Sequence, residues 1–394
     1  MNCRDNVYVF AEGRPAVGKM FIDLAARNNY RVMTCDEMYV EHCRENDVRC
    51  FHLPKNFIGF RRKLKKINID LVVLRSDYYH PRPNYLAQKY KSVVMSEAVQ
   101  LISCELIADI YKEEESDLLY RAFKKLQLTS QLCGKEFLGY EKTIRTLLKL
   151  LLDKVIWKHK YTDAPSGIYC DKVFVSSDMV KEFYVANGID KNKIVVTGTL
   201  QEDANYSLFE KYKDVDNGKN IDCLIISGAY YQEGPQCYKE IEDIVERLGR
   251  CRIVIKLHPR EKPEHHRYVA KYDNVKLVEY KNDLEYDVKM FKSSKVVVGK
   301  YSSALLLPLG LEVPVIYYDF LNQITSNIFV QQGAKYYCQD IEGFKEVYDY
   351  LANGTNWREV VKHQKELMNK FGIFDGQCYQ RIDEEIMKSL GSEQ

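Results

Sequence analysis

The sequence predicts an α/β protein with two doubly wound, Rossmann-like parallel-sheet halves, a helical insertion and a C-terminal helical tail. Three observations predict it. Short apolar runs that read as strands alternate with amphipathic helices, the pattern of a parallel sheet covered on both faces. The alternation stops over 101–160, where apolar residues recur at helical spacing, and then resumes. It pauses again over the polar stretch 201–219, read as a linker, and a second series follows. The 394 residues suit two or three domains of about 150 residues.

In order, Val7 to Phe10 reads as a strand, and a turn through Gly13 and Gly18 leads into a helix near Lys19 to Asn28. Tyr30 to Cys35, Ile69 to Leu74 and Ser92 to Met95 are further strands. After the helical insertion come a strand from Asp171, a helix from Ser177 to Asn187 and a strand from Lys193 to Thr197. The second series has strands at Ile221 to Ser227, Arg252 to Leu257, Val275 to Val278, Lys295 to Gly299 and Val315 to Tyr318. Helices are expected over Tyr238 to Leu248, from Ser302, and over Glu342 to Asn353 and Trp357 to Phe371. The halves are therefore 1–205 and 218–372, with 373–394 as the tail. Ligands of such sheets bind at the carboxyl ends of the strands, and with two halves the expected site is the cleft between them.

Composition narrows the function. Lys plus Arg is 58 and Asp plus Glu is 56, so the net charge of +2 lacks the basic excess of a general nucleic-acid coat. The 12 cysteines are scattered, without a CxxC pair or zinc spacing, and read as reduced thiols of a cytoplasmic protein. No signal-peptide core and no 18-residue apolar window is expected. Two basic stretches stand out. Lys55 to Lys66 interleaves six cations with Phe57, Ile58, Phe60 and Leu64, and Lys142 to Lys160 reads as an amphipathic helix. Peripheral contact with the inner face of an anionic membrane, or an anionic glycan, would explain them, and a core helix with solvated lysines explains the second as well. No nucleic-acid module is present.

Three motifs carry chemistry. Gly13-Arg14-Pro-Ala-Val-Gly18-Lys19 has the G-x4-G-K spacing of a phosphate-binding loop, but Met20 stands where a Mg²⁺-binding hydroxyl belongs. It reads equally as a tight strand-to-helix turn. In Ile255-Lys-Leu-His258-Pro259-Arg260 a buried-type strand ends at a histidine. Pro259 stops the ladder, His258 can donate to a phosphate, and Arg260 adds a planar charge partner. In Val298-Gly299-Lys300-Tyr301-Ser302-Ser303 a strand runs through glycine to two hydroxyls at a helix start, either an ordinary cap or a phosphate cradle. His265 and His266 read as solvent-facing.

The runs IVIKLHPRE and, about forty residues on, VVVGKYSSALLLPLGLEVPVIYYD resemble the HP and SS motifs of bacterial sialyltransferases and polysialyltransferases. Related motifs occur in Kdo transferases and CDP-glycerol glycerophosphotransferases. DKVFVSSDMVKEFYVANGIDKNKIVVTGT is similar to the end of the N-terminal domain in many GT-B proteins. The resemblance covers 170–320 and implies a GT-B glycosyltransferase with a CMP-activated acidic sugar donor, an N-terminal acceptor-binding domain and a C-terminal nucleotide-sugar-binding domain. By that resemblance His258 binds the donor phosphate, and Ser302 and Ser303 hold the same phosphate or the sugar carboxylate. Pro259, Arg260, Gly299, Lys300 and Tyr301 flank the donor, and the loop with Gly228, Gln232 and Glu233 approaches it.

The family's acidic motif has no clear copy. Glu97 is the first choice of general base, because a base belongs on the acceptor half; Glu233 and Asp77 follow. Gly13, Arg14, Gly18, Lys19 and His80 would line the acceptor side. A leaving CMP carries one phosphate, so neither a metal nor another cofactor is required. The acceptor would be a glycan or glycolipid of surface polysaccharide synthesis, and a homodimer is compatible with the sequence. Other readings remain: a CDP-glycerol-type phosphotransferase, a UDP-sugar 2-epimerase, a P-loop-like nucleotide-binding protein, and a noncatalytic GT-B-like binding protein.

Overall fold

The computed structural model describes residues 3–391, apart from 13–14, 76, 78–80, 96–166, 168, 187, 216–217, 229–234, 282, 301, 321–326 and 355. The helical segment expected over 101–160 lies outside the described residues.

The first sheet holds β1 (Val7–Phe10), β2 (Arg31–Thr34), β3 (Cys50–His52), β4 (Leu71–Leu74), β5 (Ser92–Met95), β6 (Lys172–Val175) and β7 (Ile194–Val196). Its spatial order is β3-β2-β1-β4-β5-β6-β7. Every pairing is parallel, with Tyr8 opposite Arg31 on one side and Val72 on the other. The second sheet holds β8 (Ile221–Ile226), β9 (Ile253–Lys256), β10 (Val275–Val278), β11 (Ser294–Gly299), β12 (Val315–Tyr318) and β13 (Tyr337–Cys338), in the order β10-β9-β8-β11-β12-β13, again all parallel. The central strands are buried from end to end, β1, β4, β9 and β12 at every residue. Helices cover both faces of a parallel sheet, and that is why these strands are continuous apolar runs and do not alternate with polar residues. The fold is α/β with two doubly wound parallel sheets, as the sequence predicts.

Around the first sheet run α1 (Pro15–Asn28), α2 (Glu37–Glu45), α3 (Phe57–Leu64), α4 (Pro81–Lys89), α5 (Asp178–Ala186) and α6 (Leu200–Tyr212). Around the second run α7 (Pro235–Leu248), α8 (Leu284–Lys292), α9 (Leu306–Gly310), α10 (Ile328–Gln331), α11 (Ile341–Ala352) and α12 (Trp357–Phe371), and α13 (Cys378–Ser389) closes the chain. Several helices absent from the sequence reading have plain local causes. Asp36 caps α2 by accepting from the Met38 amide, Asn56 caps α3 through the Gly59 amide, and Asp283 caps α8 through the Tyr286 amide. Each satisfies an amide that the first helical turn leaves without a partner.

One expectation is corrected here. The stretch 201–219 is not a plain linker, because α6 occupies its first half. Glu202 supports the start of α6 by accepting the Thr199 amide, and Leu200 is fully buried. In addition, the basic segment at Lys55 to Lys66 contains a helix, α3, that the sequence reading did not assign. In α3, Phe60 and Leu64 are buried, the Phe60 ring meets Phe10 at 6.2 Å, and Arg61 lies over the Tyr85 ring at 5.2 Å. These two apolar side chains are thus already used in packing. No helix among the described residues is long and apolar enough to cross a membrane.

Contacts divide the described chain into two units. One takes residues up to Asp203 and from Asp375 on; the other is Ala204–Phe374. The first core joins Val7, Val9, Phe21, Leu24, Leu71, Val73, Val93 and Phe174 with Ile382 and Ile386 of α13. The tail from Asp375 on is therefore part of the first unit, with Ile382 and Ile386 in its core. Asp203 anchors it by accepting the Cys378 and Tyr379 amides at 3.0 and 2.9 Å, and Arg4 meets Asp383 at 2.6 Å. The second core gathers Ile225, Ile241, Ile244, Ile255, Val296, Val298, Ile316 and Phe344.

Candidate functional site

In each sheet the chain starts in the middle, builds to one side and then crosses to the other. The reversal falls between β1 and β4 in the first sheet and between β8 and β11 in the second. Connections leave such a pair in opposite directions, so a crevice opens beyond the carboxyl ends of the two strands.

Around the second crevice three strand ends lie level. Ile226 is opposite Lys256 on one side and Gly299 on the other. The next residues are Ser227 and Gly228 after β8, Leu257 and His258 after β9, and Lys300 to Ser303 after β11. Pairing thus brings the HP segment, the SS segment and Gly228 to one edge. Ser227 and Gly228 are buried, with the Ser227 amide bonded to the Lys256 carbonyl at 3.0 Å.

His258 is half-buried and held in a tight turn. Its amide donates to Glu261 Oε2 at 3.0 Å, and its carbonyl accepts the Glu261 amide at 2.8 Å. The Arg260 amide donates to Nδ1 of His258 at 3.2 Å. A ring nitrogen that accepts a hydrogen bond carries no proton, so the neutral ring keeps its proton on Nε2. Nε2–H is the donor a phosphate oxygen needs. Pro259 and Arg260 are exposed.

Glu261, which the sequence reading left without a role, anchors this turn. Burial pushes its carboxyl up, but His266, Ser227 and the His258 amide outweigh that and hold it below the usual carboxylate range. His266 is fully buried, with Nε2 at 3.5 Å from Glu261 Oε1 and Nδ1 at 3.0 Å from the Tyr268 hydroxyl. The solvent-facing placement expected for His266 is corrected. Its ring packs edge-on against Tyr238, at 5.2 Å between centroids, so it supports the turn from behind.

At the end of β11, Gly299 lies against the following helix, where an added Cβ would come 2.8 Å from Leu305 Cδ2. Ser302 caps a short 3-10 turn, its hydroxyl accepting the Ala304 amide at 3.2 Å, and Ser303 is exposed. Lys300 departs from the role that the resemblance implied. Its side chain is fully buried, with Nζ at 3.0 Å from Glu240 Oε2 on α7 and 3.3 Å from Asp319 Oδ1 after β12. Glu240 also accepts the Phe320 amide at 2.6 Å, and the Lys300 carbonyl accepts from Asn327 at 2.6 Å. Burial raises the Glu240 carboxyl against the pull of Lys300. Lys300 is an internal tie that shapes the strand end; its ammonium does not face a donor.

In the first unit, Asp77 is also corrected. It is fully buried, and its carboxylate accepts the amides of Gly167, Tyr169 and Cys170 at 3.0, 2.7 and 2.9 Å. A carboxylate committed to three backbone donors organises a loop and is not available as a base for a substrate hydroxyl. Gly18 and Lys19 lie inside α1, which begins at Pro15. Gly18 is a packing position, where an added Cβ would overlap the Tyr39 ring, and Lys19 is exposed. Gly13, Arg14, His80, Glu97, Gln232, Glu233 and Tyr301 lie outside the described residues.

A second residue absent from the sequence reading sits at the first crevice. Glu12 follows β1 by two positions. Burial raises its carboxyl to about 7, against the opposing charges of Arg82 and Arg75. The signal for it was positional: it is the acidic side chain just past the carboxyl end of a switch-point strand.

Among the described residues one group could bring three metal-ligand atoms together, Asp203, Asp375 and Cys378, within 4.8 Å of one another. Asp203 is taken by two helix-start amides and Asp375 by Arg381 at 2.7 Å, so this group is a structural joint.

No protein-family model matches the chain, and no curated protein matches it in sequence. Solved structures do match in fold. A glycosyltransferase from Rickettsia africae aligns over all of both chains with a TM-score of 0.57 and 13% identity. Anabaena HepE, solved with UDP, aligns over 99% of this chain and all of its own, with a TM-score of 0.53 and 9% identity. The UDP-GlcNAc 2-epimerase of Methanocaldococcus jannaschii aligns over 97% and 99%, with a TM-score of 0.54 and 15% identity. At such identities the likeness is one of fold. The two doubly wound sheets, with a C-terminal helix returned to the first unit's core, are those of the GT-B fold.

Proposed function

We propose that this protein is a nucleotide-sugar-dependent GT-B glycosyltransferase, and that its donor is a CMP-activated acidic sugar of the sialic acid or Kdo type. The observation that carries the reading is His258, set level with the β8–β11 crevice, with the Arg260 amide on Nδ1 leaving its proton on Nε2. That N–H can donate a hydrogen bond to the phosphate of a leaving nucleotide and so stabilise its developing charge. The exposed Ser303 hydroxyl and the amides of the turn that Ser302 begins supply further donors. The choice of CMP rests on the HP and SS resemblance. Structures with this fold were solved with UDP, as for HepE, so a UDP-sugar donor is the competing reading.

The step is a single displacement with inversion. A carboxylate, Glu97 in this reading, takes the proton of an acceptor hydroxyl as its oxygen bonds to the anomeric carbon. The bond from that carbon to the phosphate oxygen breaks, and the nucleotide leaves with the electron pair. The donors named above supply the charge stabilisation, so the reading requires no metal; transfer unchanged by EDTA is expected. Thermal-shift titration with CMP, CDP, UDP and ATP tests the reading. Stabilisation by CMP above the others, lost in His258→Ala, supports it. Preference for UDP replaces the donor, and ATP binding that depends on Lys19 overturns the reading.

A further inference from the structure

The first unit has a switch-point crevice of its own, and the side chains around it form a set that the donor chemistry does not use. Glu12 follows β1, Cys35 and Asp36 follow β2, Lys55 follows β3, Arg75 follows β4, and Arg82 stands in the first turn of α4. Hydrogen bonds tie these ends together. The Ala11 amide bonds the Met33 carbonyl at 2.9 Å and the Leu53 amide bonds the Thr34 carbonyl at 2.7 Å. Cys35 Sγ donates to the Pro54 carbonyl at 3.6 Å, and Arg82 donates to the Lys55 carbonyl.

Two features of the set are costly for a purely structural cluster. Nε of Arg82 is buried and has no hydrogen-bond partner among the described residues. Leaving such a donor unpaired forfeits its hydration with no return, and the loss is larger when the group is charged. Arg82 and Arg75 both act on the Glu12 carboxyl, yet burial outweighs their charges and keeps it above the usual carboxylate range. Among the described residues the titratable groups around Glu12 are Arg82 from α4, Arg75 after β4, Cys35 after β2 and Tyr39 from α2, with Asp36 and Lys55 behind Cys35. Burial raises the Cys35 thiol to about 11 and also raises the Tyr39 hydroxyl, so both are neutral near pH 7. Glu12 is thus the member of the set that changes charge there.

We propose that the β1–β4 crevice of the first unit binds an anionic group, a sugar carboxylate or a sugar phosphate, on Arg82 and Arg75, with Glu12 taking up a proton as the anion enters. Protonated Glu12 removes the like charge and offers an O–H donor to the ligand, and the anion gives the buried Nε–H of Arg82 an acceptor. If the glycosyltransferase reading holds, on which this identification rests, the ligand is an acidic acceptor and not a neutral glycan. A proton-linked site of this kind binds more tightly as the pH falls. The affinity changes about tenfold per pH unit above 7 and levels off below it.

The test uses the full chain, isothermal calorimetry, and three probes: glucuronic acid, glucose 6-phosphate and glucose. Binding of either anion with no binding of glucose supports the proposal, and the tighter anion tells carboxylate from phosphate. Binding of glucose as tight as that of the anions, or of no probe at all, overturns it. Titration at pH 7.5 in two buffers of different ionisation enthalpy counts protons on the unaltered protein. Uptake of about one supports the proposal and none overturns it. Glu12→Gln is expected to keep anion binding and lose its pH dependence; a dependence that persists overturns the role of Glu12. Arg82→Ala is expected to weaken anion binding at least tenfold, and unchanged binding overturns the site. CMP stabilisation, read separately, distinguishes the two readings: anion binding without any nucleotide binding sinks the transferase reading and leaves this site standing.

Discussion

His258, Glu12 and Asp77 show how one kind of position can serve three ends. Each follows a central strand at its carboxyl edge, and the neighbours decide the rest. Around His258 the backbone of its own turn selects the tautomer, and buried Glu261 fixes the turn. Around Asp77 three amides converge, and the carboxylate becomes a scaffold. Asp77→Ala is therefore expected to lower stability by about 3 kcal/mol in urea unfolding, because three amides lose their acceptor. At Glu12 burial outweighs the nearby arginines, and the carboxyl rises from 4.5 to about 7. Between those values the folded chain holds the extra proton, and stability falls as pH rises from 4.5 to 7. Glu12→Gln should thus be more stable than the unaltered protein by up to about 3 kcal/mol at pH 8 and equal to it below pH 4. A difference that grows toward acid would refute that linkage. A sequence shows that an acid lies past a strand but not how many amides reach it, so Asp77 read as a possible base and Glu12 was passed over.

At the scale of elements, strand ends and caps decide where the chemistry sits. The β11 end shows this most clearly, since Gly299, Lys300 and Ser302 are neighbours with three different directions. Gly299 faces Leu305, Lys300 turns inward to Glu240 and Asp319, and Ser302 closes the next turn. Removing one member of a buried ion cluster leaves the others uncompensated, at a cost of about 3–5 kcal/mol. Lys300→Met is expected to lose that much stability at pH 8 and less in acid, since burial already raises the Glu240 carboxyl. Equal losses at pH 8 and in acid would mean that the carboxylates find other partners. The same logic of caps explains α2, α3 and α8. Their apolar stripes are short, but Asp36, Asn56 and Asp283 supply clear starts, and a cap-first reading would have found them.

For the whole molecule the main finding is the return of the chain to its beginning. α13 leaves the second unit's sequence and completes the first unit's core with Ile382 and Ile386, both fully buried. A chain ending at Phe374 is expected to lose at least about 4 kcal/mol from the first unit by those two side chains alone. Calorimetry should then show its first unfolding transition shifted down. If CMP binds where proposed, its stabilising effect should be seen on the transition of Ala204–Phe374. A single unshifted transition for the shortened chain would contradict the packing role of α13.

The sequence by itself determined the class of the fold, most of the strands and the edge on which His258 and Ser303 lie. Apolar runs of strand length can be buried only in a sheet covered on both sides, whereas the order of the strands came from the structure. Only the tertiary structure decided which polar side chains face outward. Lys300, His266 and Asp77 belong to residue types and motif positions that suggest chemistry, yet Lys300 is buried against Glu240, 60 residues away, Asp77 accepts amides 90 to 93 residues on, and His266 is held behind its own turn against Tyr238. Partners so distant in sequence leave no local pattern, because charge pairing and amide acceptance depend on distance in space.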